Sequence, residues 1–223
     1  GAGPVGLIDP DPQASLSDWL ASRPEDIRPL YETCGVSGLK DALQNMRDAG
    51  VELVFVDTPP AITRAIEAVI VASDLVVIPT RPSPHDLRAA GATVDLVEHA
   101  GKPLVFVVNA ATPRAKLTGE AAIALSQHGT VAPVIIHNRQ DFAASMIDGR
   151  SVLDVDADSR SSKEVMDLWT YVEDRIRRLP MRAAFKNPVS VQRVSGFGRK
   201  PGTADIAARA PHTGTMKVNI LAQ

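Results

Sequence analysis

The sequence has a single cysteine, Cys34, among 223 residues. One thiol excludes an internal disulfide and excludes a metal cluster ligated by cysteines of one subunit; it suits a reducing compartment. Aromatic residues make up 4% of the chain, so the core has to be built from aliphatic side chains. No apolar run reaches the ~18 residues of a membrane-spanning helix, and no secretory leader pattern is present. The expectation is a cytoplasmic protein with no membrane partner. Acid and base nearly balance, at a formal charge of −2, but unevenly. Residues 181–223 hold seven of the 24 Lys and Arg and only one of the 26 acids, Asp205. A basic end on an acidic body is an interaction signal.

What is present is a globular composition, 44% apolar and 22% charged, enough to fill a core. Residues 1–180 read as one domain. Beyond Pro180 come glycines, prolines and scattered cations without a sustained period, which reads as a basic, mostly disordered tail over 181–223. Its last residues, KVNILAQ, are a short apolar end able to pair with a sheet edge or a partner. Gly1, Gly3 and Gly6 spell G-x-G-x-x-G, but here the glycines precede a strand, whereas a dinucleotide fingerprint follows one and opens a helix.

The stretch VELVFVDTPP, Val51 to Pro60, organises the rest. A nearly continuous apolar run bounded by Gly50 and two prolines reads as a strand buried on both faces of a parallel sheet. It ends in Asp57, at the carboxyl end, where open α/β sheets bind ligands. The alternative is that Asp57 caps a helix starting near Ala61. A second strand, VGLIDPDPQAS, also ends in acids, Asp9 and Asp11. Two strands delivering carboxylates to one edge suit Mg²⁺, a hard cation held by oxygen ligands beside phosphates. The alternative is helix capping by Asp11 or Ser15 ahead of Leu16–Leu20.

Further strands are expected at Ile27–Glu32 (an edge, given Pro29), Asp74–Pro79, Lys102–Val108 and Val131–Ile136. Helices are expected at Ser37–Asp48 with Ser37 as cap, Ala61–Ala72, Pro84–His99 with Pro at the first position, and Thr118–His128. Two more are expected at Arg139–Asp148, stopped by Gly149, and over 160–178. In the last, Val165, Leu168, Trp169, Val172 and Ile176 form one apolar stripe. Trp19 packs the helix after the first strand, and His85 reads as a surface residue beside a helix start. The alternation of strands and helices gives an α/β fold, a mostly parallel sheet with helices on both faces.

Four segments carry a resemblance in order and spacing. IDPDPQAS resembles the D-x-D-P-Q segment of the ParA/MinD-type deviant Walker ATPases, and VFVDTPP their Walker B strand. IPTRPSPHDLRAAGATVDLVE resembles the P-S-P-x-D-x-x-A-A segment of the small ParF-like partition ATPases. IIHNRQDFAASMIDGRSVLD, with Arg139, Gln140, Gly149 and Val152, resembles their late adenine-side segment. The resemblance spans about residues 5–178. It implies a P-loop NTPase fold, ATP and Mg²⁺ as cofactors, and an ATP-dependent homodimer. It further implies nonspecific DNA binding on the nucleoid and a ParB-like or other centromere-binding partner that stimulates hydrolysis.

Residue by residue, it implies that Asp11 orients the attacking water and that Asp57 holds Mg²⁺ in part through water. Asp9 becomes a structural or Mg²⁺-side acid, and Thr58 and Pro59 lie over the γ-phosphate. Asn109 would contact adenine, the alternative being a turn residue. Arg139 would be adenine-side or DNA-facing, with no choice between them. The chain departs from the family at its start. The family's first strand, its K-G-G-x-G-K-T phosphate loop and its first helix have no counterpart here, so the expectations are a sheet without its central strand and an N-terminally truncated sequence, the alternative being a short product that cannot hold ATP. The chain as written is then expected not to hydrolyse ATP. Rival expectations are a non-enzymatic DNA- or partner-binding module, and a MinD-like or cargo-positioning ATPase.

Overall fold

The computed structural model describes residues 4–58, 64–179 and 216–221. In chain order the elements are β1 (Val5–Asp9), α1 (Ser15–Ser22), β2 (Leu30–Thr33), α2 (Leu39–Asp48), β3 (Leu53–Thr58), α3 (Arg64–Ala72), β4 (Leu75–Thr80), α4 (Pro84–His99) and β5 (Leu104–Val108). There follow α5 (Lys116–Ser126), β6 (Thr130–Val131), α6 (Gln140–Ser145), α7 (Val152–Val155), α8 (Arg160–Arg177) and β7 (Met216–Leu221). Short 3₁₀ turns at Glu25–Ile27, Val36–Gly38 and Met146–Asp148 join them.

One seven-stranded sheet runs in the order β2-β1-β3-β7-β4-β5-β6, and all its pairings are parallel. The apolar runs are buried on both faces, as a parallel sheet requires. In β4, Val76 and Ile78 pack with Ile66 and Ile70 of α3 and Val94 and Val97 of α4. Leu75 and Val77 turn the other way, onto Val172 and Ile176 of α8. All five residues of β5 are buried. A third cluster joins Ile8, Val54 and Val56 to Leu39, Ala42 and Met46 of α2. The α8 stripe docks as its period requires, with Leu168 and Trp169 beside Val172 and Ile176.

The main departure from the sequence reading is β7. The slot beside β3, expected to be empty, is filled by Met216–Leu221, which pairs with β3 from Leu53↔Met216 to Thr58↔Leu221 and with β4 from Leu75↔Val218 to Val77↔Ile220. Val218 is 1% exposed and packs against Leu53, Leu75 and Val105. The strand that the family resemblance places first in the chain here comes last. Of the segment read as a tail, residues 216–221 are therefore sheet, and 180–215 lie outside the described residues.

Smaller differences have local causes. The strand expected over Val131–Ile136 is regular only at Thr130–Val131, because Pro133 has no N–H for the ladder; Ala132 and Ile136 still donate to Phe106 and Val108 carbonyls at 2.8 and 3.0 Å. Ser37 does not cap α2, since it sits inside the preceding 3₁₀ turn and Gly38 takes the cap position without a side-chain bond. Ser83 does cap α4, accepting from the Asp86 N–H at 3.2 Å, with Pro84 in the first turn. Gly149 ends the Met146–Asp148 turn with φ of +74°, and a Cβ there would lie 2.5 Å from the Arg23 nitrogen. Only glycine fits.

Candidate functional site

The strands diverge around β7. From β1 the chain moves to β2 on one side, and from β3 it crosses to β4 on the other. The carboxyl edge at this switch point is where such sheets bind ligands, and the acids expected from sequence come together there.

Asp9 closes β1 and is 2% exposed. One carboxylate oxygen accepts the Asp11 N–H at 3.1 Å. The other accepts the N–H and the hydroxyl of Ser17 at 3.0 and 2.9 Å, and the Ser17 hydroxyl also shares a 2.8 Å bond with Thr33 at the end of β2. Ser17 lies in the first turn of α1, whose own cap residue, Ala14, makes no side-chain bond. Asp9 thus satisfies an orphan helix N–H from the preceding strand and places its charge at the positive end of the helix. Neither Asp11 nor Ser15 caps α1. Asp11 instead turns its own loop, accepting from the Gln13 N–H at 2.9 Å, with Ala14 at φ of 54° completing the bend. Asp9 is the acid that holds this loop; the half-buried Asp11 is the acid the loop displays.

Asp57, next to last in β3, has its carboxyl pushed up to about 6 by burial first and then by the negative charges of Asp9 and Asp11. Mutual repulsion in a partly dry site is the condition a bound cation relieves. Among the described residues no three His, Cys, Asp or Glu side chains form a ready metal cage. A Mg²⁺ here would take few protein ligands beside phosphate and water oxygens, as is usual for that ion. Thr58 is 2% exposed at the end of the same strand. Pro59 lies outside the described residues.

Asn109 follows β5 and is half-buried, its N–H bonded to the Thr80 carbonyl at 2.9 Å. Its side-chain amide makes no hydrogen bond to other described residues. Ala110 after it has φ of 49°, a conformation that costs a non-glycine residue about 1–2 kcal/mol and turns the chain sharply at this edge. Arg139 is not free in the same way. Its guanidinium donates to Glu164 of α8 at 2.6 Å, and this bond first, then the Glu164 charge against opposing burial, raises its pKa. The same carboxylate accepts the His137 N–H at 3.0 Å and meets the His137 ring at 2.8 Å. Burial works to raise Glu164, but the Arg139 and His137 bonds outweigh it and its pKa is lowered.

Asp9, Asp11, Asp57 and Thr58 therefore share one edge, while Arg139 is tied to a helix on the other wing. Sequence reasoning missed Ser17, Thr33, His137 and Glu164. A serine in the first turn of a helix that follows a strand-end acid is a usable signal for Ser17. Nothing local marks Glu164, whose partners lie 25 and 27 residues away.

No family model matches the chain. Over 175 residues, 73% of the chain, it is 30% identical to the maintenance of carboxysome distribution protein A of Halothiobacillus neapolitanus, 79% of which is covered. It is 32% identical over 96 residues to Protein ParA of Rhizobium radiobacter, covering 42% of each. Among solved structures, the septum site-determining protein MinD of Pyrococcus horikoshii OT3, complexed with Mg-ADP, matches with a TM-score of 0.58 at 13% identity over 77% of this chain and 84% of that one. Apo McdA of Cyanthece matches with a TM-score of 0.58 at 16% identity, over 75% and 87%. At these identities the structural likeness speaks for the fold.

Proposed function

The chain belongs to the ParA/MinD family of ATPases, and we propose on that premise that it is a ParA-type positioning ATPase, dimerising with ATP and binding DNA nonspecifically to distribute a cargo. The observation that carries the nucleotide part is the strand-end acid Asp57, held at about 6 by burial and by Asp9 and Asp11. In this reading Asp57 would hold Mg²⁺ in part through water, and the ion would offset that repulsion and supply charge stabilisation when bound. Asp11 would orient the attacking water, Asp9 keeps the Asp11 loop in place, Thr58 and Pro59 would border the phosphates, and the free amide of Asn109 would meet the base. Positioning and electrostatics do most of the work in phosphoryl transfer.

The glycine-rich loop and its lysines do not occur in the 223 residues. Charge-stabilising donors of that kind are each worth about 3–4 kcal/mol of transition-state stabilisation. The chain as written is accordingly proposed to carry the acid half of the site without turnover. The test pairs phosphate release with thermal unfolding. MgATP at about 100 times its Kd would add about 2.7 kcal/mol to a binding-competent chain. The expected result is a MgATP-dependent rise in Tm that Asp57→Asn removes, with phosphate release no faster than in buffer. An unchanged Tm up to ~10 mM MgATP, well above common nucleotide affinities, overturns the nucleotide reading, and measurable turnover overturns the inactivity.

The relative named for carboxysome distribution, matched over 79% of its length, favours a carboxysome as the cargo. The shorter match to a ParA supports the other choice, plasmid or chromosomal DNA carried through a centromere-binding partner. Pull-down of a DNA-bound adaptor, as against a carboxysome-bound one, separates the two.

A further inference from the structure

We propose that the groove between α2 and α3 is a docking site for an acidic amphipathic helix of a partner protein. The inference is independent of the nucleotide site. The groove has a volume of about 360 Å³ and is lined by Leu39, Leu43, Lys40 and Arg47 of α2 and Ala68 and Ala72 of α3, with Gln44 at its lip. Its floor is apolar: Leu39 is 4% exposed and Leu43 is half-buried. The wall on α3 is made of two alanines one turn apart, which lets another backbone come close. The rim is cationic. Lys40 and Arg47 are both exposed and stand seven residues apart on one face of α2, about 10 Å along the axis at 1.5 Å per residue.

Those two cations are what select the partner. Among the described residues neither pairs with a carboxylate, although Arg23, Lys116, Arg139, Arg150, Arg177 and Arg178 all do. No acid is among the residues that line the groove. Gln44 donates to Asp48 at 2.8 Å, and Asn45 donates to Glu32 at 3.2 Å. A helix laid along the groove with Ala or Leu on one face and two Glu two turns apart would bury that face on Leu39 and Leu43 and meet Lys40 and Arg47 together. Helix-in-groove recognition uses such spacing. Duplex DNA fits less well. Its phosphates gain nothing from an apolar floor.

The probe is a synthetic, end-capped helical peptide of ~14 residues, about four turns, with an Ala/Leu face, Glu at positions i and i+7, and a fluorophore. Anisotropy is followed on titrating the full chain. Binding is expected to weaken with salt and to fall about tenfold or more in Lys40→Glu/Arg47→Glu. Both side chains are exposed, so circular dichroism and Tm should not change in that variant. Ala68→Trp, which fills the groove without touching either charge, should also abolish binding. Three results overturn the proposal. One is no anisotropy change up to ~1 mM, the weak limit of specific recognition. Another is binding by the double variant within about twofold of the parent. The third is a duplex oligonucleotide that binds through Lys40 and Arg47 while the peptide does not.

Discussion

Asp57 shows how far a single residue can be read. The nearly continuous apolar run of Val51–Pro60 identifies it as a strand-end acid, but its chemistry comes from its burial and from two acids about fifty residues earlier. The sign of its effect on stability follows from the shift. Its carboxyl is raised from 3.8 in the unfolded chain to about 6 in the folded one. The stability that the protonated form contributes is full below about 4 and is lost as pH rises through about 6. Above pH 7 the charged, partly buried group therefore costs stability, at most about 3 kcal/mol for a shift of this size and less because some solvent reaches it. Asp57→Asn is expected to leave stability near pH 4 unchanged and to raise it at pH 7.5, with urea unfolding at both pH values as the measurement. Asp154 works in the opposite direction. Burial works to raise it, but the Arg23 and Ser151 hydrogen bonds outweigh that and hold it near 2, so its contribution fades only as pH falls toward 2. It does not disturb the pH 4 to 7.5 comparison. A variant as pH-sensitive as the parent would remove Asp57 as the group responsible.

At the scale of elements, legibility depends on whether the cause is local. β1, β3, β4 and β5 are apolar runs long enough to name themselves, and the stripe on α8 gives its docking face. Gly149 announces a helix end, though not that Arg23 of another segment packs against it, donating to the Gly149 carbonyl and to Asp154 at 3.0 and 2.8 Å. Ser37 misleads because a 3₁₀ turn absorbs the cap position. Met216–Leu221 is the hardest case. Lys217 and Asn219 interrupt its apolar run, the preceding composition is polar, and pairing with β3 and β4 spans more than 130 residues of sequence, which no periodicity can reveal. Its place in the sheet makes a sharp prediction. Val218 is 1% exposed in the core beneath α8, so Val218→Asp should cost at least about 3 kcal/mol, the scale of burying an unpaired charge. It should also open the facing edges of β3 and β4 together. In the unaltered chain, hydrogen exchange of the 217–220 amides should be as slow as that of Val54–Val56. Fast exchange there would mean that the slot is not held by this strand.

For the molecule as a whole, the division of charge is the feature that a fold description leaves out. Seven Lys and Arg against one acid in residues 181–223 stand beside a body with an acidic excess. Within that segment Lys217 belongs to the central strand, so six cations, Arg182, Lys186, Arg193, Arg199, Lys200 and Arg209, remain in the stretch that joins α8 to β7. If these cations meet DNA phosphates, each contact neutralised contributes about −0.9 to the slope of log affinity against log salt. Nonspecific duplex binding is then expected to fall steeply between 50 and 200 mM salt, by ~10³-fold or more if all six engage. Replacing Arg199 and Lys200 by Gln should flatten the slope by about two, without sequence preference and without a change in Tm. Filter binding on an unrelated duplex at four salt concentrations measures this directly. A slope unaffected by the double replacement would place the DNA-facing charge on the folded body instead, and an absence of duplex binding at 50 mM salt would remove DNA from the proposed partners of this chain.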